Sequence, residues 1–127
     1  MDDATPPSAI RIDDKLDLVE RHWTPHRIAR FDDHQIVVAR VRDEFVWHAH
    51  DDHDEVFLPL SGVLLIDFED DVTRRVGPGE ILVVPAGVRH RPRTESGEVT
   101  LLIIDPLDVR HTGTERTTKT VDEYPEI

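Results

Sequence analysis

The chain has no cysteine, only two lysines (Lys15 and Lys119) among its 127 residues, and nowhere eighteen apolar residues in succession. Without cysteine there is no disulfide, no thiolate nucleophile and no cysteine-held zinc or iron–sulfur group, so any metal must be held by His, Asp or Glu. Without a long apolar run there is no candidate membrane helix. The amino terminus, MDDATPPSAIRIDD, also lacks the basic and apolar regions of a secretion signal, so a cytoplasmic protein is expected. Positive charge is scarce overall: 15 Lys plus Arg stand against 27 Asp plus Glu, a formal net charge of -12. Phosphate backbones and anionic lipids repel so acidic a surface, which argues for no nucleic acid and no membrane among its partners. Arg89, Arg91 and Arg93 are a local exception able to hold a small anion. Ser8, Ser61 and Ser96 lie in no nucleophile elbow and there is no Gly-rich phosphate loop, which sets aside acyl-enzyme chemistry and nucleotide hydrolysis.

What is present suits one compact domain. Residues 1–12, with Pro6, Pro7 and Ser8 among acids, are expected to be a flexible terminus, and residues 13–127 a single domain with its core at 36–105 and a polar tail at 106–127. Asp13 and Asp14 precede KLDLVERHW, where Leu16, Val19 and Trp23 fall at helical spacing; this predicts a short helix ended by Pro25, with an aspartate capping its first turn. From His26 the apolar period becomes two. HRIAR, QIVVARV, EFVWHAH, EVFLPL, VLLIDFE, VTRRV, ILVVP and VTLLIID read as strands punctuated by Gly, Pro and Asp, the pattern of an all-β antiparallel sandwich or barrel. Ser61-Gly62 suits a hairpin between two of them. The tail contributes little apolar surface beyond Leu107, Val109, Val121 and Tyr124, and packs along the barrel, covers its mouth or exchanges with a second subunit.

One stretch breaks the core pattern. Residues 47–55 read WHAHDDHDE, with three histidines and four acids in nine positions. On a strand, residues two apart share a face with Cα atoms about 7 Å apart, so His48 and His50 project together. Asp51 to Asp54 form a polar turn, and Glu55 is expected to return on the antiparallel neighbour beside them. Further on, Val84-Pro85-Ala86-Gly87 suits a type I turn that delivers His90 at the start of another strand. Three imidazoles and one carboxylate suit one divalent first-row transition metal per chain (Mn, Fe, Zn, Ni or Co), with positions left open for water or substrate.

These residues resemble a known family. HxH at 48–50, Glu55 after four residues and Gly62 after six more follow the first cupin motif. Gly79, Pro85, Gly87 and His90 follow the second, so eight fixed positions agree. EFVWHAH, DEVFLPLSG, VGPGE, LVVPAGVRHRP and the tail's HTG extend the likeness to small single-domain cupins described as mannose-6-phosphate isomerase-like. The resemblance implies a double-stranded β-helix, or jelly-roll, barrel with the metal inside on His48, His50, Glu55 and His90, the same four that the spacing selects. It implies a homodimer, as do the open barrel's edge strands, which need covering. Two positions depart from the motifs: Arg42 stands where a glycine is usual, and Thr94 where an asparagine is common. His53, Phe57 and Thr94 are pocket candidates, His53 as a partner of the metal ligands or a proton shuttle. Phe57 shares strand parity with Glu55 and should face inward. Phe45 is out of phase with His48 and should pack outside unless a bulge intervenes, and Trp47 points away from the metal. His22, His26, His34 and His111 read as exposed or packed, although His111 lies in the tail that shares the resemblance. The expected function is a small-molecule metalloenzyme, isomerase-like or dioxygenase-like, with a small polar molecule as partner; the alternative is a non-catalytic ligand-binding or sensing module.

Overall fold

The computed structural model describes residues 5–107 and 124–127. Its elements are a single helical turn, α1 (Ile12–Leu16), and seven strands: β1 (His26–Phe31), β2 (His34–Glu44), β3 (Glu55–Ser61), β4 (Leu64–Phe68), β5 (Val72–Val76), β6 (Leu82–Val84) and β7 (His90–Pro106). All strand pairs are antiparallel, in the order β1-β2-β7-β3-β6, with β4 joining β5 to the first part of β7. The molecule is an antiparallel jelly-roll barrel, as the period-two pattern and the motif resemblance both implied. β7 does most to close it. Residues 90–94 pair with β4, whereas residues after Gly97, which sits at positive φ, pair with β2 and β3.

The core follows from strand parity. Val37, Ala39 and Val41 lie opposite Ile103, Leu101 and Val99, and Phe57 opposite Ile103, so one face of three strands converges inward. Leu64, Ile66, Val76 and Val84 complete the buried cluster. Gly62 turns β3 into β4 at φ +76, where a Cβ would meet the Glu98 carbonyl oxygen at 2.8 Å; the close crossing of β7 therefore demands glycine.

Three local readings are corrected. The helix expected to run to Pro25 stops after Leu16, because the Arg40 guanidinium takes the carbonyls of Leu16 (3.0 Å) and Val19 (2.9 Å) that a continuing helix would use. Its N-cap position is Arg11, with no side-chain cap, so neither aspartate fills that role. Trp23 lies beyond it at φ +58, its backbone N–H donating to the Arg40 carbonyl at 2.9 Å. EFVWHAH is not one strand: β2 ends at Glu44, and only His48 is bridged, to His90. The ladder is irregular just before that end: Asp43 (φ +63) stands alone on β2 between the pairs Arg42↔Glu98 and Glu44↔Arg93, opposite the bulged residues 94–97 of β7. Phe45 keeps the inward parity of Val37, Ala39 and Val41 and is buried, 6% exposed, its ring stacked on Trp23 at 4.6 Å; the phase changes only between Phe45 and His48, where the chain is no longer a strand, so parity counted back from His48 put Phe45 on the wrong face.

No helix among the described residues is long and apolar enough to cross a membrane. Of the tail, Tyr124 is buried, and the chain from Pro125 to Ile127 pairs with Arg27 through bonds of 2.8 and 3.0 Å. His111, Val109 and Val121 lie outside the described residues.

Candidate metal centre

The two motifs meet through backbone before they meet through side chains. His48 and His90 form an antiparallel bridge and exchange both N–H···O bonds, at 2.9 and 3.0 Å, which sets their imidazoles side by side with ring centroids 4.3 Å apart. Glu55 comes in on β3, opposite Val84 of β6. It is therefore not the strand partner of the histidine segment, as the hairpin reading expected; it converges from the neighbouring wall. The approach to His90 is a turn displaced by one residue from expectation. Val88 N–H bonds the Pro85 carbonyl at 3.2 Å and Gly87, at φ +81, is its third residue, which is a type II rather than a type I arrangement. Gly87 N–H donates to the His50 carbonyl (2.8 Å) and Ala86 N–H to Asp54 Oδ1 (2.9 Å), so the two loops are tied together and Asp54 does more than form a turn.

One donor atom from each of His48, His50, Glu55 and His90 lies within 4.8 Å of all the others, and all four residues are buried. The Nδ1 atoms of His48 and His90 each lie 2.9 Å from a carbonyl, of Val46 and Val88. A carbonyl only accepts, so each Nδ1 carries the proton and each Nε2 is left with a bare lone pair. Glu55 Oε1 is 3.3 Å from His50 Nε2 and 3.6 Å from His90 Nε2. Those three atoms are buried without a hydrogen-bond partner. Buried lone pairs aimed at one another cost stability unless something shared satisfies them, and a cation does so. The donor set thus fits a divalent metal ion.

Electrostatics points the same way. Burial, then the neighbouring His90, push the His48 imidazole down to about 3, so it is the neutral, ligating form at physiological pH. Burial pushes the Glu55 carboxyl up, and it is positive charge at the His50 and His90 end of the cluster, the place of a cation, that brings it well below the usual carboxylate range. Behind Glu55 runs a line of polar groups. Gln35 Nε2 donates to Asp105 Oδ1 (3.0 Å) and Arg27 Nε donates to Gln35 Oε1 (2.8 Å), while Arg27 and Arg30 reach Glu126 at the surface. Burial, then the charge of Glu55, push Asp105 up to about 9. Sequence reasoning missed Gln35 and Asp105, although parity could have exposed them: each continues an inward-facing apolar row, Gln35 with Val37 and Ala39, Asp105 with Leu101 and Ile103.

A cavity of about 30 Å³ adjoins His48 and Glu55, walled by Trp23, Phe45, Phe57, Leu101 and other apolar side chains. Phe57 faces inward, edge-on to the His90 ring at 6.1 Å. The structure places the other two pocket candidates elsewhere. The His53 ring is 4.7 Å from that of His50, its Nδ1 3.0 Å from Asp52 and its Nε2 buried without a partner; it does not line the cavity. Thr94 accepts the Asp43 N–H at 3.0 Å and so braces the bulge; it does not line the cavity. Trp47 sits outside, with the guanidinium groups of Arg89 and Arg91 5.8 and 5.3 Å from its ring centre.

Comparison with known proteins agrees with this geometry. Residues 35–109, more than half of the chain, match the family model described as "Cupin domain". The uncharacterized protein YdbB of Bacillus subtilis is 38% identical over 76 residues, 60% of this chain and 67% of that protein. A cupin-2 domain protein from Shewanella frigidimarina is 41% identical, with a TM-score of 0.74 over 76% of this chain and 93% of that one. A Neisseria meningitidis protein is 28% identical, with a TM-score of 0.71 over 78% and 99% of the two chains.

Proposed function

The chain belongs to the cupin family, and from that premise we propose that it is a metal-dependent protein for a small molecule, with one divalent first-row ion held by His48, His50, Glu55 and His90. The observation that carries this reading is the buried, partnerless state of His50 Nε2, His90 Nε2 and Glu55 Oε1, which face one another in a site closed to solvent. When bound, such an ion supplies Lewis acidity and open positions for oxygen-donor ligands or dioxygen.

The chain's own residues supply the rest. The backbone carbonyls of Val46 and Val88 hold the tautomers of His48 and His90, Glu55 contributes the negative charge, and the apolar walls keep water from the far side of the site. Among the described residues, no titratable side chain lines the cavity apart from His48 and Glu55. Isomerisation moves a proton between carbons and needs a free base close by, which these walls do not offer. The arrangement therefore favours a dioxygenase-like activity over an isomerase-like one. The same lack of a base supports a second reading, a sensing module that captures its ligand at the metal without turnover. The exposed edge-strand residue Val83 and its neighbour Ile81 offer apolar surface for a second copy, in keeping with a homodimer.

Elemental analysis of protein purified without nickel affinity, repeated on Glu55→Gln and His90→Ala, tests the centre. Occupancy near one per chain that collapses in both variants is the expected result, and unchanged occupancy in both would overturn the assignment. Oxygen uptake by the Fe(II)-loaded protein with candidate diketones and thiols then separates enzyme from module.

A further inference from the structure

The cavity beside His48 and Glu55 is distinctive for what its walls do not carry. Besides those two residues it is lined by Trp23, Pro25, Ala39, Val41, Phe45, Phe57, Pro92, Leu101 and Ile103. Among the described residues no arginine, lysine, amide or hydroxyl side chain reaches it. The arginines available for an anion are spent elsewhere. β7 alternates, so His90 and Pro92 face inward, while Arg91 and Arg93 sit on the other face and both bond Asp67 Oδ2, at 2.9 and 2.8 Å. Thr73 donates to the other oxygen of the same carboxylate. Arg89 lies with Arg91 over the outer face of Trp47.

A site that recognises a sugar phosphate places a hydrogen-bond partner at each hydroxyl and a cation at the phosphate. Polar groups driven into an apolar wall instead lose their water without replacement, at a cost that grows with each unpaired group. The observed walls reward hydrocarbon. From them we propose that the ligand of this site is an uncharged, mostly hydrocarbon small molecule with one oxygen-bearing end. That end is presented to the four-donor cluster, and two or three carbons lie against Trp23, Phe45, Phe57 and Leu101. The inference rests on the metal-centre reading for the polar end only; the apolar walls exist whether or not an ion is held. Size follows from volume: a water-sized occupant needs roughly 10–15 Å³, so about 30 Å³ takes two or three atoms of methylene size beyond the polar end. The stacked pair of Trp23 and Phe45, 4.6 Å between ring centres, bounds the space and excludes bulkier groups.

The test uses the full chain, methyl-labelled, with and without bound zinc. It is titrated with linear aliphatic hydroxamic acids of two, four and six carbons, which are uncharged at neutral pH, and with mannose 6-phosphate. The methyl resonances of Ala39, Val41, Leu101 and Ile103 report the cavity; those of the exposed Ile81 and Val83 serve as controls. The expected result is that the cavity methyls shift and the controls do not. Affinity should rise roughly tenfold from two to four carbons, the gain from two buried methylenes, and little more at six. Shifts of the same methyls by mannose 6-phosphate, or an affinity independent of chain length, would overturn the proposal. If zinc does not bind, the metal reading falls by itself and the metal-free titration still decides: cavity shifts from the four-carbon compound keep the apolar site, and none removes it.

Discussion

The metal-free protein should show a stability profile with a flat middle and a falling alkaline arm, because two buried groups on either side of the site titrate in opposite senses. Asp105 is pushed up to about 9 from an ordinary 3.8, so the folded chain keeps a proton that the unfolded chain has released. Its contribution is complete below about pH 4 and drains as pH climbs to about 9. His48 is pushed down to about 3 from 6.5, so the unfolded chain takes up a proton that the folded chain refuses. Its contribution is complete above about pH 6.5 and is lost as pH falls toward 3. Each slope is about 1.4 kcal/mol per pH unit, with opposite signs. Between about pH 4 and 6.5 they cancel. Above that only Asp105 acts, over the interval from 6.5 to about 9, which amounts to roughly 3 kcal/mol. Against the total of about 5–15 kcal/mol typical of a domain, this is easily measured.

Urea unfolding of the chelator-treated protein at steps from pH 4 to 9 gives the curve. Asp105→Asn keeps an acceptor for Gln35 Nε2 and removes the ionisation, so its alkaline arm should flatten while stability now rises between pH 4 and 6.5. His48→Asn should do the reverse, with the fall beginning near pH 4. An alkaline arm in Asp105→Asn as steep as in the parent would refute the claim that the Glu55 charge and burial together keep Asp105 protonated.

Two further outcomes follow from the backbone. Gly62→Ala places a Cβ 2.8 Å from the Glu98 carbonyl and 2.9 Å from Val99 at φ +76, and should cost about 2–4 kcal/mol in urea unfolding; a loss under about 0.5 kcal/mol would show that β7 yields there. Thr94→Val removes the acceptor of the Asp43 N–H at the bulge and should cost about 0.5–1.5 kcal/mol by the same measurement while leaving metal stoichiometry unchanged, as befits a residue outside the pocket.

Strand parity made most of the barrel legible, and the motif spacing made all four donors legible, because both are properties of residues close in sequence. What escaped depended on contacts from far away. Nothing in KLDLVERHW announces that Arg40 will take the carbonyls of Leu16 and Val19 and end the helix early. Nothing in EFVWHAH announces that the strand ends at Glu44, so that Phe45 keeps the inward parity of Val41 while His48 takes up a new phase to meet His90. The hairpin reading paired Glu55 with the histidine segment because they are neighbours in the chain. β6 and β7 took those pairings instead, and the turn at Pro85–Val88 carried His90 onto His48.

Gln35 and Asp105 carry the synthesis one step further. Two carboxyl groups face each other across β3 and β7, since Val56 pairs with Ile104 and Glu55 and Asp105 each lie one residue away along their antiparallel strands. In so buried a place both cannot be charged. Positive charge at the cluster of His50 and His90 falls on the Glu55 side, so Glu55 keeps the negative charge and Asp105 keeps the proton. A protonated Asp105 is a donor, and Gln35 Nε2, a donor itself, can sit only on the oxygen that lacks that proton, Oδ1. The proton therefore belongs on Oδ2, the atom with no other hydrogen-bond partner. Arg27 fixes the orientation of the Gln35 amide by donating to its oxygen, and Glu126 and the backbone of Pro125 fix Arg27. The carboxylate that faces the histidines is thus oriented from behind by a chain of groups reaching the surface of the barrel, while its front opens onto hydrocarbon. That asymmetry leaves Glu55 Oε1 bare toward the cluster, where a cation would need it.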